Sequence, residues 1–140
     1  MRAAARRLRQ QLGRRGALLI LKGVMAVGYG LGQVFAPTGS PQGLMLLLQW
    51  QPLAFWGWVW TTAGAVALVC AWLPPRRDWP GFLAVWLVAT PWAMAYLLSW
   101  WPLAENPRGW VVATIFGAWG GVNLVAIGWD EPGSESPRET

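Results

Sequence analysis

Few side chains within the long apolar runs of this sequence could do chemistry. Lys22 is the only charged residue inside a run, and Asn123 is the one strongly polar uncharged residue deep in a run. Cys70 is the single cysteine, so the sequence offers no disulfide and no paired thiolate ligands for a metal. Thr90 followed by Pro91 predicts a bend in the third run, because proline removes a backbone donor from a helix.

These residues favour structural roles over chemical ones. We expect the Lys22 side chain to extend to the lipid headgroups, with an ion pathway as the alternative. We expect the Asn123 amide to bridge neighbouring helices, with solute coordination as the alternative. The runs contain no Asp, Glu or His, and the sequence has no nucleophile and base pair, no metal-ligand spacing and no glycine-rich phosphate loop. The sequence therefore predicts neither an enzyme nor a metal or cofactor site, and it argues against a proton-coupled transporter.

The elements that must position these residues are four apolar runs. The sequence is 55% hydrophobic and 12% charged, which leaves too little polar surface for a water-soluble domain. Each run is 20 or 21 residues long, enough for a helix to cross about 30 Å of hydrocarbon. The runs cover 16–35, 53–73, 81–101 and 109–129. We predict an all-α membrane protein with a transmembrane domain at 16–129, a basic segment at 1–15 and an acidic, disordered tail at 130–140.

The charge distribution predicts the topology. Successive runs cross the membrane in opposite directions, so the segments between them alternate between its two sides. Of the ten Lys and Arg residues outside the runs, nine lie on the same side as the N-terminus and only Arg108 lies on the other side. The positive-inside rule then places both termini in the cytoplasm. The N-terminal cluster also resembles the start of a secretory signal, but Pro37 and the length of the run favour an uncleaved first span. We assign binding of anionic headgroups, rather than nucleic acid, to the basic residues Arg6, Arg7, Arg9, Arg14, Arg15 and Lys22.

Tryptophans occur where the runs end. An indole combines an apolar body with one N–H donor and therefore favours the boundary between lipid and water. We predict that seven of the 13 Trp are interfacial anchors, namely Trp50, Trp72, Trp79, Trp100, Trp101, Trp110 and Trp129. The stretch 43–50, GLMLLLQW, is too short to cross a membrane and follows a region rich in Pro and Gly. We predict a short interfacial helix there, between the first and second spans.

Two stretches of the chain are similar to each other. LLQWQPLA at 47–54 matches LLSWWPLA at 97–104 in six of eight positions, and GWVWTT at 57–62 is similar to GWVVAT at 109–114. One interpretation is that a helical hairpin was duplicated. The alternative is that both stretches are independent solutions to the exit of a helix at a membrane face, where a Trp is followed by a Pro.

Small residues form a stripe in the fourth run. Ala113, Gly117 and Gly121 recur every four residues, and Gly120 lies close to the same face. We expect this groove to pack against the other helices of the same chain, with self-association as the alternative. Gly28 and Gly32 form a second such pair in the first run, and Asn123 lies about 60° beyond the edge of the groove. This interpretation predicts that Gly117→Ile destabilises the protein more than Gly23→Ile.

Three segments carry a resemblance to a group of known proteins. RRGALLILKGVMAVGYGLG, PPRRDWPGFLAVWL and PRGWVVATIFGAWGGVNLVAIGW resemble small, Arg-rich and Trp-rich four-span membrane proteins of actinobacterial bacteriophages and their hosts. Some members of that group are proposed to be holin-like proteins of the lysis region. The resemblance implies a multi-pass protein of a bacterial cytoplasmic membrane.

Two functions are compatible with these features. In the first, copies of the chain associate and permeabilise the membrane in the manner of a holin. In the second, the chain is a membrane anchor or accessory subunit whose basic N-terminus or acidic tail recruits a partner. The partners expected in either case are the lipid bilayer and its anionic headgroups, and in the first case further copies of the chain.

Overall fold

A computed structural model of the chain contains only helices among the residues it describes, which are 2–35, 43–74 and 77–128, with side chains from Gly13 onwards. The helices are α1 Arg2–Phe35, α2 Met45–Leu48, α3 Leu53–Cys70, α4 Trp79–Trp100 and α5 Gly109–Ile127. Four helical segments, Gly13–Phe35 of α1 and the whole of α3, α4 and α5, are long and apolar enough to cross a membrane. The chain is an all-α, four-span integral membrane protein, as predicted.

The helix ends differ from the predicted bounds by a few residues, and prolines account for two of the differences. α3 ends at Cys70, three residues before the predicted end at residue 73, and Pro74 disfavours the helical conformation at that predicted end. α4 ends at Trp100, and Trp101 is extended, with Pro102 next in the chain. Trp129 and the predicted tail at 130–140 lie outside the described residues.

The basic N-terminal segment is helical and joins the first span at Gly13. Gly13 has φ 57° and ψ −174°, a conformation that glycine adopts readily and other residues rarely do. The segment 2–12 is therefore set apart from the span by a kink within α1. The kink lies three residues before the predicted start of the first span at residue 16.

Helices α1 and α3 pack through two pairs of glycines. A Cβ atom at Gly30 would lie 2.5 Å from the Gly57 carbonyl oxygen, and one at Gly57 would lie 2.7 Å from the Gly30 carbonyl oxygen. Gly23 and Gly64 form the same reciprocal contact, at 2.9 and 2.7 Å. The members of each pair are seven residues apart on both helices, so the antiparallel backbones touch at two levels about 10 Å apart. Only glycine permits this approach of two backbones.

The other helices pack through small residues and aromatic rings. Gly81 at the start of α4 lies against Cys70 and Ala67 of α3, and Gly120 of α5 lies against Ala89 of α4. Helices α1 and α3, the first hairpin, are thus joined by glycine pairs. Helices α4 and α5, the second hairpin, are joined by Ala89 against Gly120 and by the Tyr96 carbonyl against Gly109. The structure does not reproduce one packing pattern in both hairpins, and the duplication stays a hypothesis.

Pro91 lies inside α4, which continues on both sides of it. The Thr90 hydroxyl donates a 2.9 Å hydrogen bond to the carbonyl oxygen of Trp86, one turn earlier. Trp86 O is the usual acceptor for the Thr90 backbone N–H, whereas Pro91 leaves the Leu87 carbonyl without its usual helical donor. The Thr90 hydroxyl therefore donates to the carbonyl of Trp86, whereas the carbonyl left without a donor by Pro91 is that of the next residue, Leu87.

The short helix α2 confirms the element predicted between the first two spans. It is anchored on α3 by the Trp56 indole N–H, which donates to the Leu47 carbonyl at 3.2 Å. Its entry is fixed by Gly43, which has φ 102° and lies so close to the Tyr96 ring that a Cβ atom would be 2.6 Å from it. Six of the predicted anchors are exposed at or beyond helix ends, namely Trp50, Trp72, Trp79, Trp100, Trp101 and Trp110. Their membrane-interface role stays a prediction, because exposure alone does not place them at a headgroup.

The topology predicted from charge can be tested with reporter fusions. The start of the first span, the α3–α4 turn and the end of α5 lie at one end of the bundle, which we call the basic end. We expect the basic end to face the cytoplasm, because it carries the Lys and Arg excess. Alkaline phosphatase fused after Thr140 should then be inactive, and phosphatase inserted at 37–42 should be active. The opposite pattern of activities would show that the protein is inserted the other way round.

Candidate functional site

Arg15 forms a buried ion pair with Asp78 at the basic end. Its Nε donates to Asp78 Oδ2 at 2.8 Å and its Nη2 donates to Asp78 Oδ1 at 2.7 Å, a bidentate arrangement. Its Nη1 donates to the carbonyl oxygen of Ile127 at 3.1 Å, one of the carbonyls that the end of α5 leaves without a helical partner. The guanidinium also lies 5.5 Å from the centre of the Phe82 ring. Arg15 therefore joins α1, the start of α4 and the end of α5.

This geometry corrects two of the predicted headgroup ligands. The side chains of Arg15 and Asp78 are only 6% and 4% exposed, so Arg15 binds a carboxylate of its own chain rather than lipid. Lys22 is only 4% exposed and also points into the protein. Both predictions were wrong because a carboxylate or carbonyl supplied by another helix is not visible in the sequence around the cation. Arg14 is exposed and its role stays a prediction, while the side chains of Arg6, Arg7 and Arg9 lie outside the described part.

Lys22 is buried between α1 and α5. Its Nζ donates a hydrogen bond to the carbonyl oxygen of Trp119 and lies 4.6 Å from the centre of the Trp119 ring. The electron-rich face of an indole attracts a cation, so both contacts suit the charged ammonium group. Lys22 follows Arg15 by seven residues, which places its Cα about 10 Å further along the span.

Asn123 lies between the levels of these two cations. Arg15 contacts Ile127 and Lys22 contacts Trp119, and Asn123 is one helical turn from each of these α5 residues. Asn123 is fully buried, and neither its Oδ1 nor its Nδ2 has a hydrogen-bond partner among the described residues. The predicted bridge to another helix is therefore not formed within the described part of the chain. An amide buried without partners is costly, which marks this position as one that needs a functional or packing explanation.

An aromatic cluster fills the bundle beyond Lys22. The Trp92 indole N–H donates to the Tyr29 hydroxyl at 2.9 Å, which links α4 to α1. Trp60 is packed among Tyr29, Trp92, Phe116 and Trp119, with ring centres 4.9 to 5.9 Å away. Trp60 Nε1 is buried and has no partner within the described part of the chain. The depth of these tryptophans is explained by edge-to-face and tilted ring packing rather than by a membrane-boundary role.

The small-residue groove of α5 is divided between two environments. Ala113 and Gly120 are buried, and a Cβ atom at Gly120 would lie 3.4 Å from the Ala89 Cβ. Cβ atoms at four other positions would meet nothing within 4 Å in the described part of the chain, namely at Gly28, Gly32, Gly117 and Gly121. The expected packing of these four glycines against their own chain is therefore wrong. The glycines of α1 that do pack are Gly23 and Gly30.

Gly117 lies in a groove between α4 and α5. This groove has a volume of about 470 Å³ and is lined mainly by apolar groups. Ala113, Thr114 and Gly117 contribute to one wall, and Met94 and Leu97 to the other. Met94, Leu97 and Gly117 are exposed, so the groove is open at the side of the bundle, where lipid or another helix can enter.

The described residues offer polar binding groups rather than catalytic ones. No group of three or more His, Cys, Asp or Glu side chains that could hold a metal occurs among them. The arrangement supplies a buried ammonium group, an unpartnered amide and an unpartnered indole N–H around Trp119. Such groups can bind a ligand that accepts hydrogen bonds. That the protein is not an enzyme and needs no cofactor stays a prediction.

The glycines that pack α1 against α3 could have been recognised from their spacing in the sequence. Gly23 and Gly30 in the first span and Gly57 and Gly64 in the second have the same spacing of seven, which is the spacing of two antiparallel helices in contact at two levels. Asp78 is the only acidic residue between the second and third spans, beside two arginines that would be expected to pair with it. Nothing in its local sequence indicates Arg15, 63 positions earlier, as the partner.

Comparisons with known proteins provide no further identification. The resemblance to phage-encoded membrane proteins rests on the Arg and Trp content and the four-span arrangement of the sequence, and it stays a prediction. At a significant level the chain matches no protein-family model, no curated protein and no solved structure.

Proposed function

We propose that this chain is a non-enzymatic membrane protein that associates with further copies of itself through the face of α5 bearing Gly117 and Gly121. We propose further that the assembly permeabilises a bacterial cytoplasmic membrane in the manner of a holin. The observation that carries this proposal is that a Cβ atom at either glycine would meet nothing within 4 Å in the described part of the chain.

Glycine in a helix needs a reason, because it destabilises the helix by roughly 1 kcal/mol relative to alanine. Gly23, Gly30, Gly57 and Gly64 have such a reason in the contact between α1 and α3. Gly117 and Gly121 have no equivalent contact within the described chain. In a membrane, exposed small residues at a spacing of four allow two helices to approach closely, and this approach drives association where lipid removes the ordinary hydrophobic effect.

The packing inside one copy of the chain supports the proposal that the membrane is permeabilised by several associated copies rather than by one. Trp60 and Trp92 are 2% and 0% exposed and occupy the middle of the bundle, where a channel along the axis would have to pass. A permeable path is therefore expected between copies rather than through one copy. The groove beside Gly117 gives a neighbouring helix a place to lie.

Self-association can be tested by crosslinking in the membrane. Gly117→Cys should give a disulfide-linked dimer on mild oxidation, because the proposed interface brings two copies of residue 117 close together. Val122→Cys is the matched control, since Val122 is exposed on α5 but points about 140° away from Gly117. The native Cys70 is buried and should contribute little background. Equal crosslinking at 117 and 122, or none at either position, would contradict the proposed interface.

Permeabilisation is tested separately by dye uptake after induced expression in a bacterial host. We expect uptake above that of an equally abundant, unrelated four-span protein, and a return to that level in the Gly117→Ile, Gly121→Ile double variant. Val122→Ile should leave uptake unchanged. Crosslinking at 117 without increased uptake, and without lysis when an endolysin is co-expressed, would leave self-association standing and refute the holin-like role.

The second function, a membrane anchor for a partner, is favoured by the shape of α1. The helix extends eleven residues before Gly13, and Gly13 sets this extension apart from the span. The extension carries Arg2, Arg6, Arg7 and Arg9 and has no acidic residue. A basic helix at the membrane surface can recruit an acidic partner, so deletion of 2–12 should release such a partner without reducing membrane insertion. An endolysin gene beside this one would favour the first function, and genes for an envelope complex the second.

A further inference from the structure

Lys22 brings a positive charge into the bundle, and no carboxylate among the described residues balances it. The acidic residues in the described part of the chain are Asp78 and Glu105, and the Asp78 carboxylate is bound by Arg15. Glu105 is exposed in the α4–α5 loop, at the end of the bundle opposite the basic end. The contacts of the Lys22 ammonium group are the carbonyl oxygen and the ring of Trp119. A buried cation with only neutral neighbours favours the binding of an anion.

Two unpartnered polar groups lie on either side of Trp119, the residue that Lys22 contacts. Asn123 is one turn from Trp119 on the same side of α5, and its fully buried amide has no hydrogen-bond partner in the described part of the chain. Trp60 is 2% exposed, its ring centre lies 5.6 Å from that of Trp119, and its indole N–H is also unpartnered. The region around Trp119 thus holds an ammonium group, an amide N–H₂ and an indole N–H. Against these donors the described residues of this region offer one unpartnered side-chain acceptor, Asn123 Oδ1, so the excess of donors suits an acidic ligand.

A cavity beside Trp60 and Trp119 leads to the side of the bundle. It has a volume of about 150 Å³ and is apolar, and Tyr29, Trp60 and Trp119 form part of its wall. Met25 on α1 and Ile115 on α5 also line it and are 51% and 62% exposed, so they mark its mouth between the two helices. Trp119 therefore contributes both to this wall and to the contact with Lys22. An apolar chain can therefore leave the site through this cavity into the surrounding lipid.

We propose that the protein binds one single-chain anionic amphiphile of the fatty-acid type between α1 and α5. The carboxylate accepts hydrogen bonds from Lys22 Nζ and Asn123 Nδ2, and its charge balances the ammonium group. The first carbons of the chain lie in the cavity and the remainder passes between Met25 and Ile115. A volume of about 150 Å³ holds roughly five groups of the size of water. This space suits the start of one alkyl chain and excludes the glycerol backbone and two chains of a phospholipid.

The site does not depend on the proposed self-association. Asn123 points about 120° away from Gly117 and about 160° away from Gly121 around α5. A ligand at Lys22 and a second copy at Gly117 would therefore occupy different sides of the helix.

Native mass spectrometry of the full chain in detergent tests this proposal with laurate as the probe. We expect one laurate per chain, and at least ten-fold weaker binding of dodecanol, which has the same chain without the charge. Phosphatidylglycerol distinguishes a fatty acid from a lipid headgroup: it should neither bind at this stoichiometry nor compete with laurate. Competition by phosphatidylglycerol, or equal binding of laurate and dodecanol, would overturn the proposal.

Variants assign the binding to these residues. Lys22→Met should weaken laurate binding at least ten-fold, because the ammonium group is lost while an apolar side chain of similar length fills the space. Lys22→Arg should retain part of the binding, and Asn123→Leu should weaken it in a chain with both cations intact. Arg14→Gln removes an exposed arginine near the same end of α1 and should have no effect. Unchanged binding in both Lys22→Met and Asn123→Leu would place laurate elsewhere and refute the site.

Discussion

Replacing Asp78 by asparagine is expected to lower the temperature at which the protein aggregates in detergent by about 10 °C or more. The substitution preserves the size of the side chain but removes the charge that balances the buried guanidinium of Arg15. Removal of one partner of a buried ion pair costs about 3 to 5 kcal/mol. About 1 kcal/mol shifts the unfolding temperature of a chain of this size by roughly 3 to 4 °C. Size-exclusion chromatography after heating at graded temperatures measures the loss.

Two further variants show whether the effect belongs to the ion pair. Arg14→Gln removes an exposed positive charge from the adjacent position and should change the temperature little. Arg15→Met combined with Asp78→Leu should recover most of the stability lost in Asp78→Asn, because an apolar pair of similar volume often replaces a buried ion pair at little cost. If Asp78→Asn is as stable as the unmodified protein, the Arg15 guanidinium does not depend on the carboxylate and the three-helix junction is not held in this way.

Gly30→Ile is expected to prevent the recovery of folded protein, whereas Gly28→Ile, two residues away on the same helix, should be recovered normally. A Cβ atom at Gly30 would lie 2.5 Å from the Gly57 carbonyl oxygen and 2.6 Å from the Thr61 backbone nitrogen. Backbone atoms cannot move aside as a flexible side chain can, so α1 and α3 must separate. The yield of monodisperse protein after detergent extraction measures this difference.

A smaller substitution keeps this comparison informative when the isoleucine variant does not fold. Gly30→Ala adds a single methyl group and should lower the aggregation temperature by several degrees, since overpacking of a tight contact costs about 1 to 3 kcal/mol. Gly28→Ala should not lower it. The same geometry reverses the order expected from the sequence, so that Gly23→Ile should be more damaging than Gly117→Ile. Equal effects at Gly28 and Gly30 would mean that the two helices do not meet at these glycines.

The existence of the spans could be predicted from the sequence, but the side that each span presents to its neighbours could not. The length and hydropathy of a run can be read from the local sequence without knowledge of its neighbours. The four spans and the short helix after Gly43 were therefore predictable, and the structure confirms them. A span such as α5 is apolar on all sides, and its hydrophobic pattern does not distinguish a surface facing lipid from one facing another helix. Gly28 and Gly32 were therefore chosen from their spacing alone, although the contact uses Gly23 and Gly30.

The candidate site shows the same limit for polar residues. Lys22 and Asn123 were recognisable as unusual, because charged and amide side chains are rare within a span. The partner of Lys22 is Trp119, on a helix about a hundred positions away in the chain, and the Asn123 amide has no partner among the described residues. A cation near the end of a span has two low-energy environments, the headgroups and a buried acceptor. The choice between them is made by tertiary packing.

The contacts of Arg15 also have a consequence for the order in which the protein is made. A ribosome completes Arg15 before Asp78 and Asp78 before Ile127, so the three groups that meet at the basic end are synthesised at three different times. When the first span inserts, Arg15 has neither partner, and under the predicted topology it is one of the positive charges that keep the N-terminus in the cytoplasm. Only after the last span has emerged can its guanidinium leave the membrane surface and bind both partners. We therefore expect one residue first to orient the nascent chain and later to join three helices of the finished bundle.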